Sequence, residues 1–227
     1  MAEYKSSSFE KSSIEIAHAL STLKRHGINI QLPKHLIKKF DATTLFDGDD
    51  GLFKELIKSA EIYFEYGCGK STEFVLKYLS CAIFAVDTSK DWVHKIQSLE
   101  GFESSDRLNL SWVDVGVVGN WGTPTSFKKR HNFKKYAELL WLNNKIPDLV
   151  LIDGRFRVSC FLTSVKFAPV GTRILFDDYT DRPFYHVVEE FCQKLDTCGR
   201  QALFEVSGKA KAQISDDIIY SFQNVIG

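Results

Sequence analysis

The sequence lacks an excess of charge of either sign, because its 227 residues contain 29 lysines and arginines against 29 aspartates and glutamates. Binding nucleic acid mainly through counterion release requires a broad positive surface, so the charge balance argues against nucleic acid as a partner. Long apolar runs are also missing: the longest, 81–86, is far shorter than the roughly 20 residues of a membrane span. We therefore predict a protein without a membrane segment.

Targeting signals and cysteine frameworks are absent as well. Residues 1–8 hold no apolar core that could serve as a signal peptide, which predicts a cytoplasmic location. The five cysteines are an odd number without C-x-x-C pairs or zinc-type spacing, so we expect reduced thiols rather than disulfides or a structural metal. The length and the 44% share of hydrophobic residues suit one α/β domain with an extension.

Helical patterns dominate the start of the chain. Apolar residues recur near helical spacing over 12–27, Pro33 can begin a second short helix, and a third is expected at 52–59. We predict that residues 1–59 form a helical extension and that residues 60–227 form the main domain. The extension either packs on that domain as a cap or closes over a substrate and sets its specificity.

Beyond residue 60, short β-rich runs alternate with helical stretches, as in βαβ units around a mainly parallel sheet. Parallel strands are predicted at 61–66, 82–87, 108–113, 149–153 and 173–176. An antiparallel hairpin of 202–207 and 218–222 is expected to complete this α/β sheet. In such a sheet ligands bind outside the carboxyl ends of the strands, where the strand order reverses, so we look for chemistry there.

A glycine-rich turn, Gly67-Cys68-Gly69, follows the first strand and opens a helix. Glycines allow a sharp backbone turn and the close approach of a ligand. The following Lys-Ser-Thr invites comparison with an ATP-binding P-loop, but the pattern G-x-x-x-x-G-K-[ST] requires glycine where this chain has Phe64. Because Phe64 lies inside the predicted strand, the loop is too short to wrap a triphosphate. A P-loop phosphotransferase is therefore the weaker alternative.

The same turn belongs to a second pattern, Glu65-x-Gly67-x-Gly69, with Asp87 twenty residues after Gly67. A carboxylate at Asp87 can accept hydrogen bonds from both hydroxyls of a ribose. These residues resemble the first two motifs of class I S-adenosylmethionine-dependent methyltransferases, and the succession of elements matches over 61–222. The resemblance implies a Rossmann-like fold, a mostly parallel seven-stranded sheet and S-adenosylmethionine as the cofactor.

In that family the glycine turn lies beside the amino-acid part of the cofactor. The resemblance therefore implies that Asp87 holds the ribose and that Thr88 and Asp114 lie near the adenine. For the turn and the start of the helix it implies contacts from Glu65, Tyr66, Gly67, Cys68, Gly69, Ser71 and Thr72. The structural alternative is that the glycines only make a tight turn and Asp87 only caps the next helix.

Three acids follow the fourth and fifth strands: Asp153, Asp177 and Asp178. Parallel strands end at one edge of the sheet, so we expect these acids to converge. The arrangement is similar to that of the magnesium-dependent catechol O-methyltransferases, which implies a Mg²⁺ site made of these three residues that would lower the pKa of a substrate hydroxyl. This sequence departs from that group at two positions: Asp178 stands in place of an asparagine, and Phe156 stands in place of a lysine base.

A metal-free alternative makes Asp153 or Asp178 the general base on a substrate hydroxyl. Bidentate hydrogen bonds from an arginine would then position an anionic or sugar-like substrate, the candidates being Arg155, Arg157 and Arg182. His186 is the one histidine retained as a candidate acid or base. The structural alternative is that these acids and arginines pair with one another and fix the loops.

Residues 114–124, together with 153–157, further resemble uncharacterised bacterial methyltransferase-like proteins. Trp121 either belongs to a mobile flap over the pocket or anchors an ordinary loop. The basic residues of 128–135 are typical of a solvated helix face, with contact to a polyanion as the alternative.

Together these features predict an S-adenosylmethionine-dependent methyltransferase that methylates a hydroxyl oxygen of a small or sugar-like substrate. No catalytic triad is expected, because a sulfonium is already activated and the protein has only to position groups and remove a proton. The alternatives are a module that binds S-adenosylmethionine without catalysis and the P-loop phosphotransferase.

Overall fold

Seven strands form one sheet in the computed structural model, which describes residues 40, 43–101 and 105–226. They are β1 (Ile62–Tyr66), β2 (Ala82–Asp87), β3 (Leu108–Trp112), β4 (Leu149–Ile152), β5 (Arg173–Phe176), β6 (Lys194–Cys198) and β7 (Gln201–Glu205). The strand order is β3-β2-β1-β4-β5-β7-β6. β1 to β5 run parallel, and β7 is antiparallel to β5 and β6. The expected mostly parallel sheet is confirmed.

Helices connect the parallel strands and follow the sheet. They are α1 (Gly51–Ile57), α2 (Lys70–Tyr78), α3 (Lys90–Gln97), α4 (Phe133–Glu138), α5 (Arg157–Phe167), α6 (Gly208–Gln213) and α7 (Asp216–Phe222). Short 3-10 turns lie at Asn120–Gly122, Arg130–Asn132, Leu139–Leu142 and Pro183–Glu190. Within the described ranges, no helix is long and apolar enough to cross a membrane.

The C-terminal hairpin exists, and the strand predicted at 202–207 is confirmed as β7, but the prediction of the other strand was wrong. Its strands are β6 and β7, joined by a two-residue turn in which Gly199 has a φ of 55°. The stretch 218–222, predicted as a strand, lies in α7 instead. Ser215 caps this helix by accepting the N–H of Ile218 at 3.2 Å, and acids in the first turn favour a helix start.

Both faces of the sheet are covered, and the side chains of β1 show how. Tyr63 points into the cluster that contains the apolar faces of α1, α2 and α3, whereas Phe64 and Tyr66 point into the cluster formed with α4 and α5. All four residues of β4 are buried for the same reason, since a central parallel strand has helices on either side. This burial leaves only the strand ends open to ligands.

The helix predicted at 52–59 is confirmed as α1, which packs on the sheet. The ring of Phe53 contacts Tyr63 on β1 with 6.0 Å between ring centroids and Phe74 on α2 with 6.4 Å. The helix predicted at 12–27 lies outside the described residues, as does most of the one predicted after Pro33. A boundary between extension and main domain at residue 59 stays a prediction.

Candidate active site

The glycine turn joins β1 to α2 at the point where the strand order reverses, between β1 and β4. Gly67 has a φ of 90°, in the left-handed region that favours glycine. The N–H of Gly67 donates to Val86 O at 2.8 Å, and the N–H of Cys68 donates to Asp87 Oδ2 at 2.9 Å. The turn is therefore fixed to the end of β2 by its own backbone.

The P-loop alternative receives no support from this turn. Phe64 is fully buried within β1, and α2 begins at Lys70, only one residue after Gly69. A phosphate-wrapping loop needs more backbone than that between strand and helix. In the first turns of α2, Glu73 pairs with Lys77 at 2.7 Å.

Glu65 lies beneath the turn and is fully buried. Its carboxylate accepts hydrogen bonds from the hydroxyls of Ser71 and Thr72, the latter at 2.6 Å, and Thr72 Oγ1 in turn accepts the N–H of Gly69 at 2.9 Å. Burial raises the pKa of Glu65 to about 8, against the opposing effect of the two hydroxyls. These three side chains tie β1 to the first turn of α2, and their contact with a cofactor stays a prediction.

Tyr66 and Cys68 offer their backbone rather than their side chains. The hydroxyl of Tyr66 donates to Ala137 O at 2.6 Å on the far side of the sheet. Cys68 is buried, and burial raises the pKa of its thiol. A ligand above the turn would thus meet mainly the peptide groups of 67–69.

Asp87 ends β2 and lies beside the glycine turn, as predicted. Its second oxygen, Oδ1, accepts the N–H of Ser89 at 2.6 Å, so each carboxylate oxygen already has one backbone donor. Burial raises the pKa of Asp87, and the two backbone N–H groups oppose that shift. Thr88 Oγ1 donates to Gly122 O at 2.7 Å, which fixes the loop after β3 against the end of β2.

Asp114 lies further from this centre, in the loop after β3. Its carboxylate pairs with Lys129 and accepts the N–H of Gly116 at 3.0 Å, and the hydrogen bond from Lys129 lowers its pKa. These contacts stabilise the loop, and a role of Asp114 near an adenine stays a prediction. Trp121 in the same loop has a φ of 57° and is 76% exposed, so the anchoring by a buried indole is wrong.

Asp153 follows β4 directly, and the turn after it directs two arginines to different sides. Phe156 is fully buried in the left-handed region with a φ of 55°, and α5 begins at the next residue. Arg157 then reaches the end of β5, whereas Arg155 reaches Thr123 in the loop after β3 at 3.4 Å. The turn therefore places one guanidinium on either side of Asp153.

Arg157 is the buried centre of the acid cluster, with 2% of its surface exposed. Its Nη2 lies 3.0 Å from Asp153 Oδ1 and 3.0 Å from Asp178 Oδ2. Its Nε donates to Gly154 O at 2.9 Å and its Nη1 to Asp177 O at 2.6 Å. One guanidinium thus joins the ends of β4 and β5.

Two further arginines complete the neutralisation of these acids. Arg182 Nη2 lies 2.8 Å from Asp178 Oδ2, and Arg200 Nη1 lies 2.7 Å from Asp178 Oδ1. Arg200 Nη2 also pairs with Asp177 Oδ2 at 3.1 Å. The acids converge as predicted, and the alternative that acids and arginines pair and fix loops describes Asp177 and Asp178 well.

Asp153 differs from the other two acids because its side chain is 28% exposed. Desolvation by the surrounding protein raises its pKa to about 7, and Arg157 opposes this shift. Arg157 donates to Oδ1 of Asp153, and among the described residues no group donates a hydrogen bond to its Oδ2. Asp153 therefore keeps a carboxylate oxygen available and titrates near neutral pH.

His186 is not joined to the acids by any contact in the described part of the chain. Its Nε2 lies 3.1 Å from Tyr179 O, and its ring packs on that of Tyr179 with 4.8 Å between centroids. A role as acid or base stays a prediction without support from these contacts.

Solved structures with this architecture are methyltransferases or related proteins. A methyltransferase-like protein from Silicibacter pomeroyi is 27% identical, with a TM-score of 0.62 over 79% of this chain and 88% of the other. The chain has the fold of a class I methyltransferase. The resemblance inferred from Glu65, Gly67, Gly69 and Asp87 is thereby confirmed.

Two further solved structures are less similar to this chain. An O-methyltransferase from Bacillus cereus, solved with S-adenosylhomocysteine, is 14% identical with a TM-score of 0.47 over 86% of this chain and 91% of the other. A methyltransferase from Geobacter sulfurreducens is 11% identical with a TM-score of 0.44 over 86% and 88%. No family model matches the sequence, and no curated protein does.

Several residues of this methyltransferase fold were missed by the sequence analysis. Gly154 is required by close packing, and Arg200 and Gln201 bind Asp177 from the hairpin, the latter at 3.1 Å. Arg157 was considered as a substrate-positioning group or as one of several partners of the acids, but not as the centre of the cluster. The run Asp-Gly-Arg-Phe-Arg after a buried strand was the available signal for Arg157, whereas nothing near Arg200 marked it.

The three acids do not fit the Mg²⁺ site implied by the catechol O-methyltransferases. The three carboxylates lie close together: one oxygen of Asp153, one of Asp177 and one of Asp178 are within 4.8 Å of one another, a spacing that a metal ion could bridge. However, the guanidinium of Arg157 already lies 3.0 Å from Asp153 and from Asp178 and supplies the positive charge there. A divalent cation bound to all three acids would lie against this buried guanidinium, whose positive charge would repel it.

Proposed function

We propose that this chain is an S-adenosylmethionine-dependent methyltransferase that methylates a hydroxyl oxygen of a small, sugar-like acceptor without a metal ion. One observation carries the proposal: Gly67, Asp87 and Asp153 lie at the carboxyl ends of the adjacent strands β1, β2 and β4, where the strand order reverses. The similarity to the methyltransferase-like protein from Silicibacter pomeroyi supports the reaction class.

The residues at the turn fit the methyl donor. A Cβ placed on Gly69 would meet no atom within 4 Å, so open space adjoins the turn. Each oxygen of Asp87 accepts only one backbone N–H, and a carboxylate oxygen can accept another hydrogen bond. Asp87 would bind the ribose hydroxyls, and the peptide groups of 67–69 would bind the amino-acid part of the donor. When bound, S-adenosylmethionine supplies a methyl group on an activated sulfonium.

Asp153 is the proposed general base. Its Oδ2 would accept the proton of the acceptor hydroxyl as the acceptor oxygen gains the methyl group, and the protonated carboxyl would then release the proton to water. A pKa of about 7 suits this task, because a base works best when its pKa lies near the working pH. Arg157 acts as a positioning residue by holding Oδ1 at 3.0 Å.

Asp178 is less accessible to a substrate hydroxyl than Asp153. Both of its oxygens are in ion pairs, Oδ2 with Arg157 and Arg182 and Oδ1 with Arg200, and its side chain is buried. Neither oxygen is left free to approach a substrate. We therefore assign proton removal to Asp153 and loop positioning to Asp178.

Calorimetry with S-adenosylmethionine, S-adenosylhomocysteine and ATP on one protein preparation tests the donor. We expect both sulfur compounds to bind and ATP not to bind. An Asp87→Ala variant should lose most of that affinity, whereas Asp91→Ala, an acid on the neighbouring helix α3, serves as the matched control. Binding of ATP alone would contradict the proposal and restore the phosphotransferase.

A module that binds the donor without catalysis is the second candidate, and the ion pair between Asp153 and Arg157 favours it because structural acids are paired in this way. Methyl transfer from labelled donor to a panel of phenols, sugars and glycosides separates the two. Donor binding with no transfer to any acceptor would favour the module.

A further inference from the structure

Four arginines surround the acid cluster, and three of them are paired. Arg157, Arg182 and Arg200 neutralise the three acids at the ends of β4 and β5. Arg155 makes no ion pair with any residue of the described ranges. Its guanidinium reaches only Thr123 Oγ1, at a long 3.4 Å, and its Nε is buried without a hydrogen-bond partner. The site thus contains one positive charge without a counterion.

Arg155 lies over the region where the proposed ligands would bind. It extends from the end of β4 toward Thr123, next to the Gly122 that packs on Thr88 and Asp87. Its charge acts on both Asp87 and Asp153, although neither is within ion-pair distance. Arg155 therefore extends from the turn after the proposed base toward the loop that packs on the proposed ribose site.

The neighbouring groups offset the cost of burying this guanidinium only in part. Desolvation lowers the pKa of Arg155, but a guanidinium stays protonated in proteins. A buried unpaired donor is rare in folded proteins and often marks a functional position. Tyr185 gives a second such observation: its hydroxyl is fully buried, has no hydrogen-bond partner and lies within range of the charge of Arg155.

We propose that Arg155 binds a carboxylate group of a ligand at the carboxyl ends of β2 and β4, where Asp87 and Asp153 lie. A planar carboxylate matches the fork of one guanidinium through two parallel hydrogen bonds. A phosphate dianion fits less well, because Asp87 and Asp153 would repel its second charge and no further free arginine lies in the described part of the site. The inference rests on the proposed methyltransferase function.

The carboxylate has two sources within that function: the amino-acid part of the methyl donor, or the acceptor. Two probes distinguish them. S-adenosylhomocysteine carries the donor's carboxylate, whereas 5'-methylthioadenosine has the same adenosine and thioether without the amino acid. The acceptor is represented by acetate and benzoate, added to protein saturated with S-adenosylhomocysteine.

The inference is tested by calorimetry, which measures the binding of these probes to the wild type, Arg155→Gln and Arg155→Lys. The matched control is Arg173→Gln, which makes the same chemical change at an exposed position on β5, at the opposite end of the sheet. Thermal unfolding of all four proteins checks that the fold is retained. Arg155→Lys keeps the charge but loses the fork, so we expect an intermediate effect.

If the donor supplies the carboxylate, Arg155→Gln should bind S-adenosylhomocysteine roughly 10- to 100-fold more weakly, because a charge-assisted hydrogen bond is lost. Its affinity for 5'-methylthioadenosine should be unchanged. If the acceptor supplies it, affinity for S-adenosylhomocysteine is unchanged, and benzoate or acetate binds the wild type but not Arg155→Gln. Either pattern supports the inference.

The inference is overturned if the wild type binds S-adenosylhomocysteine and Arg155→Gln matches Arg173→Gln with every probe. That result would leave the proposed methyltransferase intact. Failure of the wild type to bind both S-adenosylhomocysteine and 5'-methylthioadenosine would instead contradict the proposed function itself. The two failures are therefore distinguishable on the same samples.

Discussion

Gly67 and Gly154 lie backbone against backbone where β1 and β4 end. A Cβ on Gly67 would be 2.7 Å from Gly154 Cα, and a Cβ on Gly154 would be 2.8 Å from Gly67 N. Real side chains do not approach that closely, so each glycine is required by the other. Their contact brings the glycine turn next to Asp153 and sets the spacing between the proposed donor site and the proposed base.

We expect Gly67→Ala to lower the free energy of unfolding by about 2 to 5 kcal/mol, because it adds left-handed strain to a steric overlap. Gly154→Ala should do the same, since its Cβ would overlap the hydroxyl oxygen of Tyr136. Urea unfolding measures both. Gly69→Ala is the matched control from the same turn: its Cβ meets nothing within 4 Å and its φ of 178° suits any residue, so stability should change little.

Asp153→Asn should lower the rate of methyl transfer by roughly 10²- to 10⁴-fold, the usual effect of losing a general base. Binding of S-adenosylhomocysteine should stay within a few-fold of the wild type, because the amide that replaces the carboxylate keeps the shape of the side chain. For the wild type we expect the rate to rise with pH through about 7 as Asp153 loses its proton. Rates on the best acceptor of the panel, measured across neutral pH, check this.

Asp178→Asn provides the comparison for that profile. If Asp178 only positions loops, its variant keeps the rise with pH near 7, whereas Asp153→Asn loses it. A profile that is unchanged in Asp153→Asn would show that another group removes the proton.

Arg157 should be the most sensitive position for stability in this cluster. Arg157→Met leaves Asp153 and Asp178 without their shared cation, and removing one partner of a buried pair costs about 3 to 5 kcal/mol. Urea unfolding of this variant should show the loss, whereas Arg182→Met, at a half-buried arginine, should cost much less. Equal effects of the two variants would contradict the central role of Arg157.

Much of this site was predictable because parallel strands end at one edge. The position of Asp87 beside the glycine turn and the convergence of Asp153 with Asp177 and Asp178 follow from strand order and from acids placed after apolar runs. The resemblance implied the mostly parallel seven-stranded sheet, and local patterns predicted the five parallel strands. Short-range sequence features were therefore sufficient to predict most of the fold.

The pairing of these acids was not predictable by the same means. Arg200 reaches them from the hairpin turn. The strand before that turn, β6, was missed because residues 218–222, which lie in a capped helix, were interpreted as the partner strand of 202–207. The separate directions of Arg155 and Arg157 depend on the left-handed backbone of Phe156, a conformation that an aromatic residue seldom adopts. Long-range contacts and unusual backbone torsions leave little trace in local patterns.

Glu65 should make the protein less stable as the pH rises. Its pKa is about 8 in the folded chain and about 4.5 when unfolded, so between these values the unfolded state releases its proton first. The contribution of Glu65 to stability is therefore full below about pH 4.5 and falls by up to about 5 kcal/mol as the pH passes through 8. Denaturant unfolding at several pH values measures the slope. Glu65→Gln should reduce it, and an unchanged slope would contradict the raised pKa.

Divalent cations should have no effect on this protein. The position between Asp153 and Asp178 is taken by Arg157 Nη2 at 3.0 Å from each. Arg182 also pairs with Asp178 Oδ2, and Arg200 pairs with Asp178 Oδ1. A cation placed there would face a buried guanidinium at contact distance, and that repulsion outweighs the attraction of acids that are already neutralised.

We expect EDTA and Mg²⁺ to change donor affinity and methyl transfer by less than about twofold, which corresponds to about 0.4 kcal/mol. Electron paramagnetic resonance with Mn²⁺ should show only free ion at micromolar protein. Loss of methyl transfer in EDTA with recovery in Mg²⁺ would mean that Arg157 leaves the cluster in the working enzyme.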